Sequence, residues 1–338
     1  MAVPERYSRQ QRFAPIGAAG QERIAAARVL VLGCGALGSA VAEQLARAGV
    51  GTLRLVDRDF VEASNLGRQC LYTEADAAAA APKAVAAAER LRAINASLHY
   101  HSVVAHVSAA NIDEVLSDID LAVDGGDNFA LRHILNEACQ RRGIPWVYGA
   151  CVGAYGCSMP VLPGETACLR CLQDELPAAG DGPTCDTAGV IAPAVHLVAA
   201  WQVAEVLKLL CGDRAAVRRE LWISDLWAGS FQRLDTVKWR DPRCRACGEH
   251  ADYPALAERD DPAIVLCGRD GFQITRKAVP DLARFAEGLG PALLSANAYL
   301  VRWHDDQIRG TVFADGRVIV QGTGDEARAR SFCDRYLG

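Results

Sequence analysis

Three glycines at the spacing Gly-x-Gly-x-x-Gly give the first sign of chemistry in this sequence. Gly33, Gly35 and Gly38 follow the apolar run 29–32 and precede an alanine-rich stretch. A strand, a glycine turn and a helix in this order present backbone N–H groups and the positive end of a helix dipole to an anion, usually a nucleotide phosphate. The structural alternative is a close-packed strand–helix turn that binds no ligand.

Charged side chains at later positions can complete a phosphate site. Asp57 closes the next apolar run, where a carboxylate can accept hydrogen bonds from a ribose. Arg68 and Lys83 follow that run, and Asp127 ends a later one. Because strand ends of a doubly wound sheet meet in one crevice, we expect these groups around the glycine turn. Taken singly, each charge is typical of a solvated surface. Together, two cations that neutralise phosphate charge and a carboxylate that holds magnesium favour phosphoryl or nucleotidyl transfer over hydride transfer.

Two Cys-x-x-Cys pairs form a second chemically capable group, Cys168 with Cys171 and Cys244 with Cys247. Each pair can present two thiolates to one tetrahedral ion, so the four sulfurs predict a structural zinc site that joins distant segments. The alternative is a redox pair of thioredoxin type, which usually opens a helix after a strand. Neither pair clearly has that setting.

The hydrophobic pattern predicts the scaffold that positions these residues. Strand-like and helix-like runs alternate from 28 to about 150, which is typical of a parallel sheet with helices on both faces. The pattern becomes antiparallel in character over 157–235, and a long apolar helix is expected over 192–210. The predicted fold is α/β, a Rossmann-like doubly wound, mainly parallel sheet with an antiparallel continuation, plus a small C-terminal α+β module. The predicted domains are 1–250 and 260–338.

Composition limits the classes of function. The 338 residues are 51% hydrophobic and 23% charged, as in ordinary globular proteins. The net charge of −5 argues against a nucleic-acid partner. Neither a signal segment nor an apolar run of bilayer length is recognised, so we expect a cytoplasmic protein without a membrane partner. The thirteen cysteines then favour metal ligation and catalysis over disulfides.

Several motifs occur in a fixed order over roughly residues 5–250. They are Arg6-Tyr7-Ser8-Arg9-Gln10, Gly33 to Gly38, Asp57-Arg58-Asp59, Ser64 to Gln69, Pro82-Lys83, Asp124 to Asn128, the two cysteine pairs, and Thr184 to Val190. Together they resemble the ThiF/MoeB family, which is similar to ubiquitin-activating enzymes. The resemblance implies an adenylyltransferase that uses ATP and magnesium. Its implied substrate is a small ubiquitin-like sulfur-carrier protein, ThiS- or MoaD-like, whose C-terminal Gly-Gly carboxylate becomes acyl-AMP.

The resemblance also implies roles for individual residues. The implied nucleotide-binding set is Gly33, Gly35, Ala36, Gly38, Asp57, Asp59, Ser64, Asn65, Arg68, Lys83, Asp127 and Asn128. The implied catalytic set is Arg9, Arg68, Lys83, Asp127 and Cys185, with Arg9 reaching across a homodimer interface. Two departures from the family pattern are visible. Ala36 replaces a common glycine, which the turn tolerates if its φ is negative, and Gly67 replaces a common glutamine.

Cys185 has two interpretations. It follows a Gly/Pro/Asp-rich stretch at 176–184, and the resemblance implies a nucleophile that takes the carrier as a thioester or persulfide-linked species, with a sulfur donor as a further partner. The alternative is an inert buried thiol. For the whole chain, the alternatives are an NAD-dependent oxidoreductase and a non-catalytic, carrier-binding member of the same fold. The C-terminal module resembles an extension of bacterial ThiF-type proteins, which suggests docking of the carrier or an accessory partner.

Overall fold

The structure is a computed structural model of the chain, and it describes most of the sequence. The described residues are 5–174, 188–257, 263–265, 271–276 and 281–337. The stretch predicted as a Gly/Pro/Asp-rich loop and the candidate nucleophile Cys185 lie outside these residues.

A mixed sheet of eight strands forms the larger unit. The strands are β1 (Arg28–Leu32), β2 (Thr52–Asp57), β3 (His99–Val104), β4 (Leu121–Asp124), β5 (Trp146–Val152), β6 (Tyr155–Val161), β7 (Glu220–Asp225) and β8 (Ser230–Asp235). They lie in the order β3-β2-β1-β4-β5-β6-β7-β8. Pairing is parallel from β3 to β5 and antiparallel from β5 to β8. The predicted parallel sheet with an antiparallel continuation is confirmed.

Helices cover both faces of this sheet. In the described residues 5–174 and 188–257 the α-helices are α1 (Ser8–Arg12), α2 (Gly17–Ala26), α3 (Ala36–Ala48), α4 (Glu74–Ala78), α5 (Lys83–Ile94), α6 (Ile112–Val115), α7 (Phe129–Arg142), α8 (Leu169–Leu172), α9 (Ala192–Cys211) and α10 (Pro254–Ala257). Strand β1 shows why its sequence is apolar throughout. Val29 and Val31 pack in the core with α3, α5 and α9, whereas Leu30 and Leu32 face the core with α6 and α7. Burial on both faces requires a continuous apolar run.

We recognised no apolar run of bilayer length in the sequence, but α9 is the one described helix that is long and apolar enough to cross a membrane. In this fold it is a core helix, because Val198, Ala199 and Val206 are fully buried among residues of α3 and the sheet. The buried Gln202 of the same helix donates through Nε2 to the carbonyl oxygens of Asp124, at 2.8 Å, and Val147, at 3.1 Å. These bonds fix α9 across the sheet.

A second, antiparallel sheet forms the C-terminal unit. Its strands are β9 (Ala263–Val265), β10 (Gly271–Thr275), β11 (Leu293–Ala296), β12 (Leu300–Asp305), β13 (Ile308–Phe313) and β14 (Arg317–Gln321), in the order β11-β12-β13-β14-β10-β9. Helices α11 (Leu282–Leu289) and α12 (Glu326–Leu337) accompany it. Phe285 and Phe332 from these helices pack on Trp303. This confirms the α+β character of the module, while the boundary between domains 1–250 and 260–338 stays a prediction.

Two details differ from the sequence prediction. The sequence predicts a buried strand over 144–148 and a break in the pattern over 149–156, but β5 continues through Gly149 to Val152. Glycine suits this position of the strand because a Cβ on Gly149 would lie 2.5 Å from the side chain of Gln202. Strand β11 was not predicted, because its residues lie mostly exposed and lack an alternating pattern.

Candidate active site

The glycine turn after β1 is shaped by close backbone contacts. Gly33 has φ +90°, a conformation that favours glycine, and its N–H donates to the carbonyl oxygen of Val56 at 2.8 Å. A Cβ on Gly38 would collide with the carbonyl oxygen of Gly33. Gly35 is different, because a Cβ there would meet only Gln69 Nε2, at 4.0 Å. The first and third glycines therefore serve packing, and the second leaves open space in front of the helix.

Helix α3 begins directly after this turn. Gly35 is its N-cap residue and supplies no side-chain hydrogen bond to the first turn. The N–H groups of that turn are therefore available to an anion. Ala36 is the first helical residue and is not among the described residues with positive φ, so the conformation tolerates alanine there.

The turns after β1 and β4 touch. The N–H of Gly125 donates to the carbonyl oxygen of Leu32 at 2.8 Å, and a Cβ on Gly33 would lie 2.6 Å from Gly125. Since β1, β2 and β4 are parallel neighbours, their carboxyl ends share one edge of the sheet. Asp57, at the end of β2, and Asp127, just after β4, therefore lie at that edge.

Asp57, the last residue of β2, holds the glycine turn. Its Oδ2 accepts the N–H of Cys34 at 2.6 Å, and its Oδ1 accepts the N–H of Asp59 at 2.7 Å. Desolvation raises the pKa of the Asp57 carboxyl, and the nearby Lys83 ammonium opposes that shift. Each carboxylate oxygen can accept a further hydrogen bond, so the geometry is compatible with the predicted ribose contact.

Lys83 is the most enclosed cation of the predicted set, with 5% of its surface exposed. It opens α5, and its N–H donates to the carbonyl oxygen of Asp59 at 2.9 Å. Its Nζ lies 3.5 Å from Asp59 Oδ2. The hydroxyl of Tyr72 lies 2.6 Å from the carbonyl oxygen of Cys34 and 3.2 Å from that of Lys83, so this ring joins the glycine turn to α5.

The segment Ser64 to Arg68 forms a short, hydrogen-bonded turn. The buried Asn65 accepts the N–H of Glu62 through Oδ1 at 3.1 Å, and exposed Ser64 lies beside it. Arg68 is half-buried and donates through Nη1 to the carbonyl oxygen of Ser64 at 2.8 Å. A Cβ on Gly67 would meet nothing, so the departure from glutamine leaves this turn intact.

Asp127 and Asn128 follow β4 but differ in setting. Asp127 is exposed in the loop, where its carboxylate can reach a cation. Asn128 is the N-cap of α7 and accepts the N–H of Leu131 through Oδ1 at 2.8 Å. The side-chain oxygen of Asn128 therefore caps the helix. The side-chain nitrogen Nδ2 lies 3.4 Å from Asp127 Oδ1.

Sequence reasoning missed the buried ion pair of Arg132 with Asp124. Arg132 Nε donates to Asp124 Oδ2 at 2.9 Å, and Nη2 donates to the carbonyl oxygens of Gly126, at 2.8 Å, and Gly149, at 3.2 Å. Burial raises the pKa of the Asp124 carboxyl, while the guanidinium opposes the shift. The pair fixes the loop that carries Asp127. The sequence signal for this ion pair was an arginine one turn into the helix that follows Asp124. Only the fold shows that the Arg132 side chain on α7 points toward Asp124 at the end of β4.

Arg9 lies away from this edge. It is exposed on α1, and its neighbour Gln10 donates to the carbonyl oxygen of Ala48 at 2.9 Å. Ala48 is the last residue of α3, whereas the glycine turn is at the first. At 1.5 Å per residue the helix separates these two ends by about 18 Å. The structure therefore does not bring Arg9 to its own chain's turn.

The four predicted zinc ligands do meet. The sulfur atoms of Cys168, Cys171, Cys244 and Cys247 lie within 4.8 Å of one another. Sγ–Sγ distances are 3.6 Å for Cys168 and Cys244, 3.3 Å for Cys171 and Cys247, and 3.9 Å within the first pair. A tetrahedral ion with metal–sulfur bonds of about 2.3 Å requires sulfurs about 3.8 Å apart. The cluster therefore fits zinc, and an all-sulfur set leaves no open position for catalysis.

Ion pairs and hydrogen bonds attach this cluster to α7. Buried Glu137 accepts from Arg170 Nε at 2.9 Å through Oε1 and from the N–H of Leu256 at 3.2 Å through Oε2. Asn136 Oδ1 accepts the N–H of Leu169 at 3.0 Å. The cysteine cluster is thus attached to the second half of α7, whereas Asn128 lies at the start of that helix, and this separation suits a structural role.

The fold and this edge define a nucleotide-binding protein of the doubly wound α/β class. The chain belongs to the ThiF family, whose model matches residues 7–246. It is 46% identical over 341 residues to the sulfur carrier protein ThiS adenylyltransferase of Bacillus subtilis, covering 98% of this chain and 99% of that protein. It is 39% identical over 269 residues to the sulfur carrier protein adenylyltransferase of Thermus thermophilus, covering 78% and 96%.

A solved structure shares the fold. Escherichia coli MccB, in a structure with ATP, has a TM-score of 0.63 and 24% identity, covering 73% of this chain and 75% of that one. Membership in the ThiF family favours the nucleotidyltransferase prediction over the NAD-dependent oxidoreductase.

Proposed function

We propose that this protein is an ATP-dependent adenylyltransferase that activates the C-terminal Gly-Gly carboxylate of a small ubiquitin-like sulfur-carrier protein. Family membership and the similarity to two sulfur-carrier adenylyltransferases support this. The observation that carries the proposal is Lys83, a cation almost wholly enclosed beside the glycine turn and paired with Asp59. Burial of a lysine is costly. A buried cation beside the glycine turn can bind the phosphates of ATP, and a hydride-transfer reaction would not need it.

The proposed reaction needs charge neutralisation more than proton transfer. A carboxylate oxygen of the carrier forms a bond to the α-phosphorus of ATP, the bond between the α- and β-phosphates breaks, and pyrophosphate leaves with the electron pair. The carboxylate is already a nucleophile, so the barrier lies in bringing two anions together. Lys83 and Arg68 bind phosphate oxygens, Asp57 binds the ribose, and the first turn of α3 faces the phosphates.

Magnesium belongs to the same proposal. Asp127 is exposed at the sheet edge, and carboxylate oxygens are ligands that magnesium prefers. In this role Asp127 would hold the ion, which would offset phosphate charge. Zinc, by contrast, is proposed to be structural, at the four cysteines.

A homodimer with Arg9 acting in the partner's site is also proposed. The separation of α1 from its own chain's glycine turn supports it, since Arg9 needs a second copy to reach a phosphate. Mixing an Arg9→Ala chain with a Lys83→Met chain tests it. Mixed dimers contain one intact site and regain activity if Arg9 acts across the interface, whereas recovery is absent if it acts within its own chain.

Cys185 is proposed to take the activated carrier as a covalent adduct, and a sulfur donor is the matching partner. The supporting observation is the family motif around it. In this step the Cys185 thiolate attacks the carbonyl carbon of the carrier acyl-AMP, so that a thioester forms and AMP leaves. Mass spectrometry of wild type and Cys185→Ser, incubated with carrier and ATP, tests the step. An adduct in wild type alone that hydroxylamine cleaves supports it, and its absence in wild type contradicts it.

An aromatic surface on β7 and β8 is a suitable docking site for the carrier. Trp201, Trp222 and Phe231 have ring centroids 5.5–5.7 Å apart, and Phe231 is exposed. Trp227, in the turn between the two strands, is 87% exposed. Exposed apolar clusters of this kind commonly bind protein partners. Trp227→Ser is expected to raise the KM for the carrier and leave the KM for ATP unchanged.

One assay tests the central proposal: exchange of labelled pyrophosphate into ATP with each candidate carrier. Carrier-dependent exchange supports adenylation. Nucleotide binding without exchange favours a non-catalytic member, and NAD binding without ATP binding favours the oxidoreductase. We also propose a cytoplasmic location. The division into domains 1–250 and 260–338 is proposed as well, and limited proteolysis can test that division.

A further inference from the structure

Both faces of the C-terminal sheet are packed against other elements. Val301, Trp303, Val318 and Val320 pack toward α11 and α12. Leu300, Phe313 and Ile319 lie on the opposite face and pack against Phe60 and Ala80 of the larger unit. Phe60 and Ala80 belong to the two segments that flank the proposed phosphate site, so this contact is not a remote one.

Those two segments are joined to each other beside the site. The N–H of Val61 donates to the carbonyl oxygen of Ala81 at 2.8 Å, and Phe60 forms an antiparallel bridge with Pro82. The N–H of Lys83 donates to the carbonyl oxygen of Asp59 at 2.9 Å. The position of Lys83 relative to Asp59 therefore depends on how these backbones are held.

Arg317 of β14 holds the first segment. Its Nη1 donates to the carbonyl oxygen of Arg58 at 3.1 Å, a bond between residues 259 positions apart. Arg58 is the residue between Asp57 and Asp59. Asp315 accepts from Arg317 Nε at 2.6 Å, and the guanidinium lies 4.4 Å from the centroid of the Phe313 ring. The buried guanidinium is thereby fixed on its own sheet and presents one donor to the site.

Asn297 holds the second segment. Its Nδ2 donates to the carbonyl oxygens of Ala79, at 3.2 Å, and Ala80, at 3.3 Å. Its Oδ1 accepts the N–H groups of Tyr299 and Leu300, at 2.9 and 3.0 Å. Ala80 has φ +47°, which alanine rarely adopts. A surrounding structure must impose such a conformation, and the C-terminal sheet supplies the contacts.

We propose that the C-terminal module braces the nucleotide site, with Arg317 and Asn297 as positioning residues that hold the backbones of Asp59 and Lys83, so that the Lys83 ammonium is presented to the phosphates of ATP. This inference rests on the proposed adenylyltransferase function. It differs from the docking role suggested by the sequence, because the module acts on the ATP side of the reaction. Neither side chain touches a reacting group.

Asn297→Asp is the sharpest test. Aspartate keeps the oxygen that accepts from Tyr299 and Leu300, and it loses the amide that donates to Ala79 and Ala80. Arg317→Ala removes the other bond, and Arg317→Lys keeps the charge. Arg335→Ala is the control, since Arg335 pairs with Asp305 at the surface of the same module.

A hydrogen bond from a charged donor makes a contribution equivalent to about a tenfold change in affinity. We therefore expect Arg317→Ala to raise the KM for ATP about tenfold, Asn297→Asp about threefold, and Arg317→Lys by less than Arg317→Ala. The KM for the carrier stays within about twofold in all variants, and Arg335→Ala behaves as wild type. Hydrogen exchange becomes faster in 58–62 and 79–83, while exchange in β12 to β14 stays slow. That last readout separates a loosened contact from an unfolded module.

Three outcomes overturn the inference. They are an unchanged KM for ATP in both Asn297→Asp and Arg317→Ala, a rise confined to the KM for the carrier, and exchange at 58–62 and 79–83 equal to wild type. If Arg317→Ala does not fold, Asn297→Asp carries the test. Failure of the proposed function is seen separately, as wild-type protein that exchanges no pyrophosphate with any carrier. Hydrogen exchange and ATP binding still test the brace in that case.

Discussion

Lys83→Met replaces the enclosed ammonium by an apolar chain of similar length. Removal of a positioned cation from a phosphoryl-type site costs about 10²–10⁵ in rate. Lys83 is 5% exposed and lies 3.5 Å from the Asp59 carboxylate, so water cannot readily replace it. We expect kcat/KM for ATP in pyrophosphate exchange to fall about 10³-fold, which corresponds to about 4 kcal/mol.

The same substitution changes how stability depends on pH. Desolvation raises the pKa of Asp57, and the Lys83 ammonium opposes that rise, so the variant carries Asp57 with a still higher pKa. When the pKa of an acid is higher in the folded state than its unfolded value of about 3.9, the protein loses stability as pH rises between these two pKa values. The reason is that the native state keeps the proton to a higher pH. The gap in unfolding free energy between variant and wild type therefore widens as pH rises from the raised folded-state pKa of Asp57 in wild type to its still higher pKa in the variant.

Lys238→Met is the matched control, since Lys238 is highly exposed and pairs only with Asp235 at the surface. Exchange kinetics, ATP titration and urea unfolding from pH 4 to pH 8 are measured for both variants. The reasoning is refuted if Lys83→Met exchanges pyrophosphate within threefold of wild type, or if the control loses as much activity.

Other predictions concern the scaffold. Cys244→Ser is expected to lose bound zinc and lower the melting temperature, whereas Cys139→Ser, outside the cluster, keeps one zinc per chain by atomic absorption. Arg132→Met leaves Asp124 buried without its partner and lowers the unfolding free energy by about 3–5 kcal/mol in urea titrations; a loss below about 1 kcal/mol contradicts that. Gly38→Ala forces a methyl into the glycine turn, so calorimetry should show weakened ATP binding; unchanged affinity would show that the turn adapts.

Much of the parallel part could be predicted because burial on both faces leaves a continuous apolar run. Strand β1, the glycine turn and the alanine-rich helix α5, which begins at Lys83, follow from local sequence. The cysteine cluster was predictable because two cysteine pairs can supply four thiolates to one tetrahedral ion, and neither pair clearly has the strand–helix setting of a redox motif.

What could not be predicted depends on contacts between distant segments. Arg132 looks like an ordinary helical arginine until α7 is packed against β4, where its guanidinium meets Asp124. Asn297 resembles a turn residue, which it is, and nothing local indicates its second role against Ala80. Gly149 was read as a break because glycine weakens strands, but here the small residue makes room for Gln202. The placement of Arg9 in a partner's site stays a prediction.

The bond between Arg317 and the carbonyl oxygen of Arg58 spans 259 positions of the chain. On a ribosome, the strands that bear the glycine turn emerge first, and β14 follows long after them. At about 5–20 residues per second, the stretch from α10 to β14 takes several seconds to appear. A nascent chain would thus hold an unbraced, weakly ATP-binding crevice until β14 emerges, so chains that still lack β14 would consume little carrier protein.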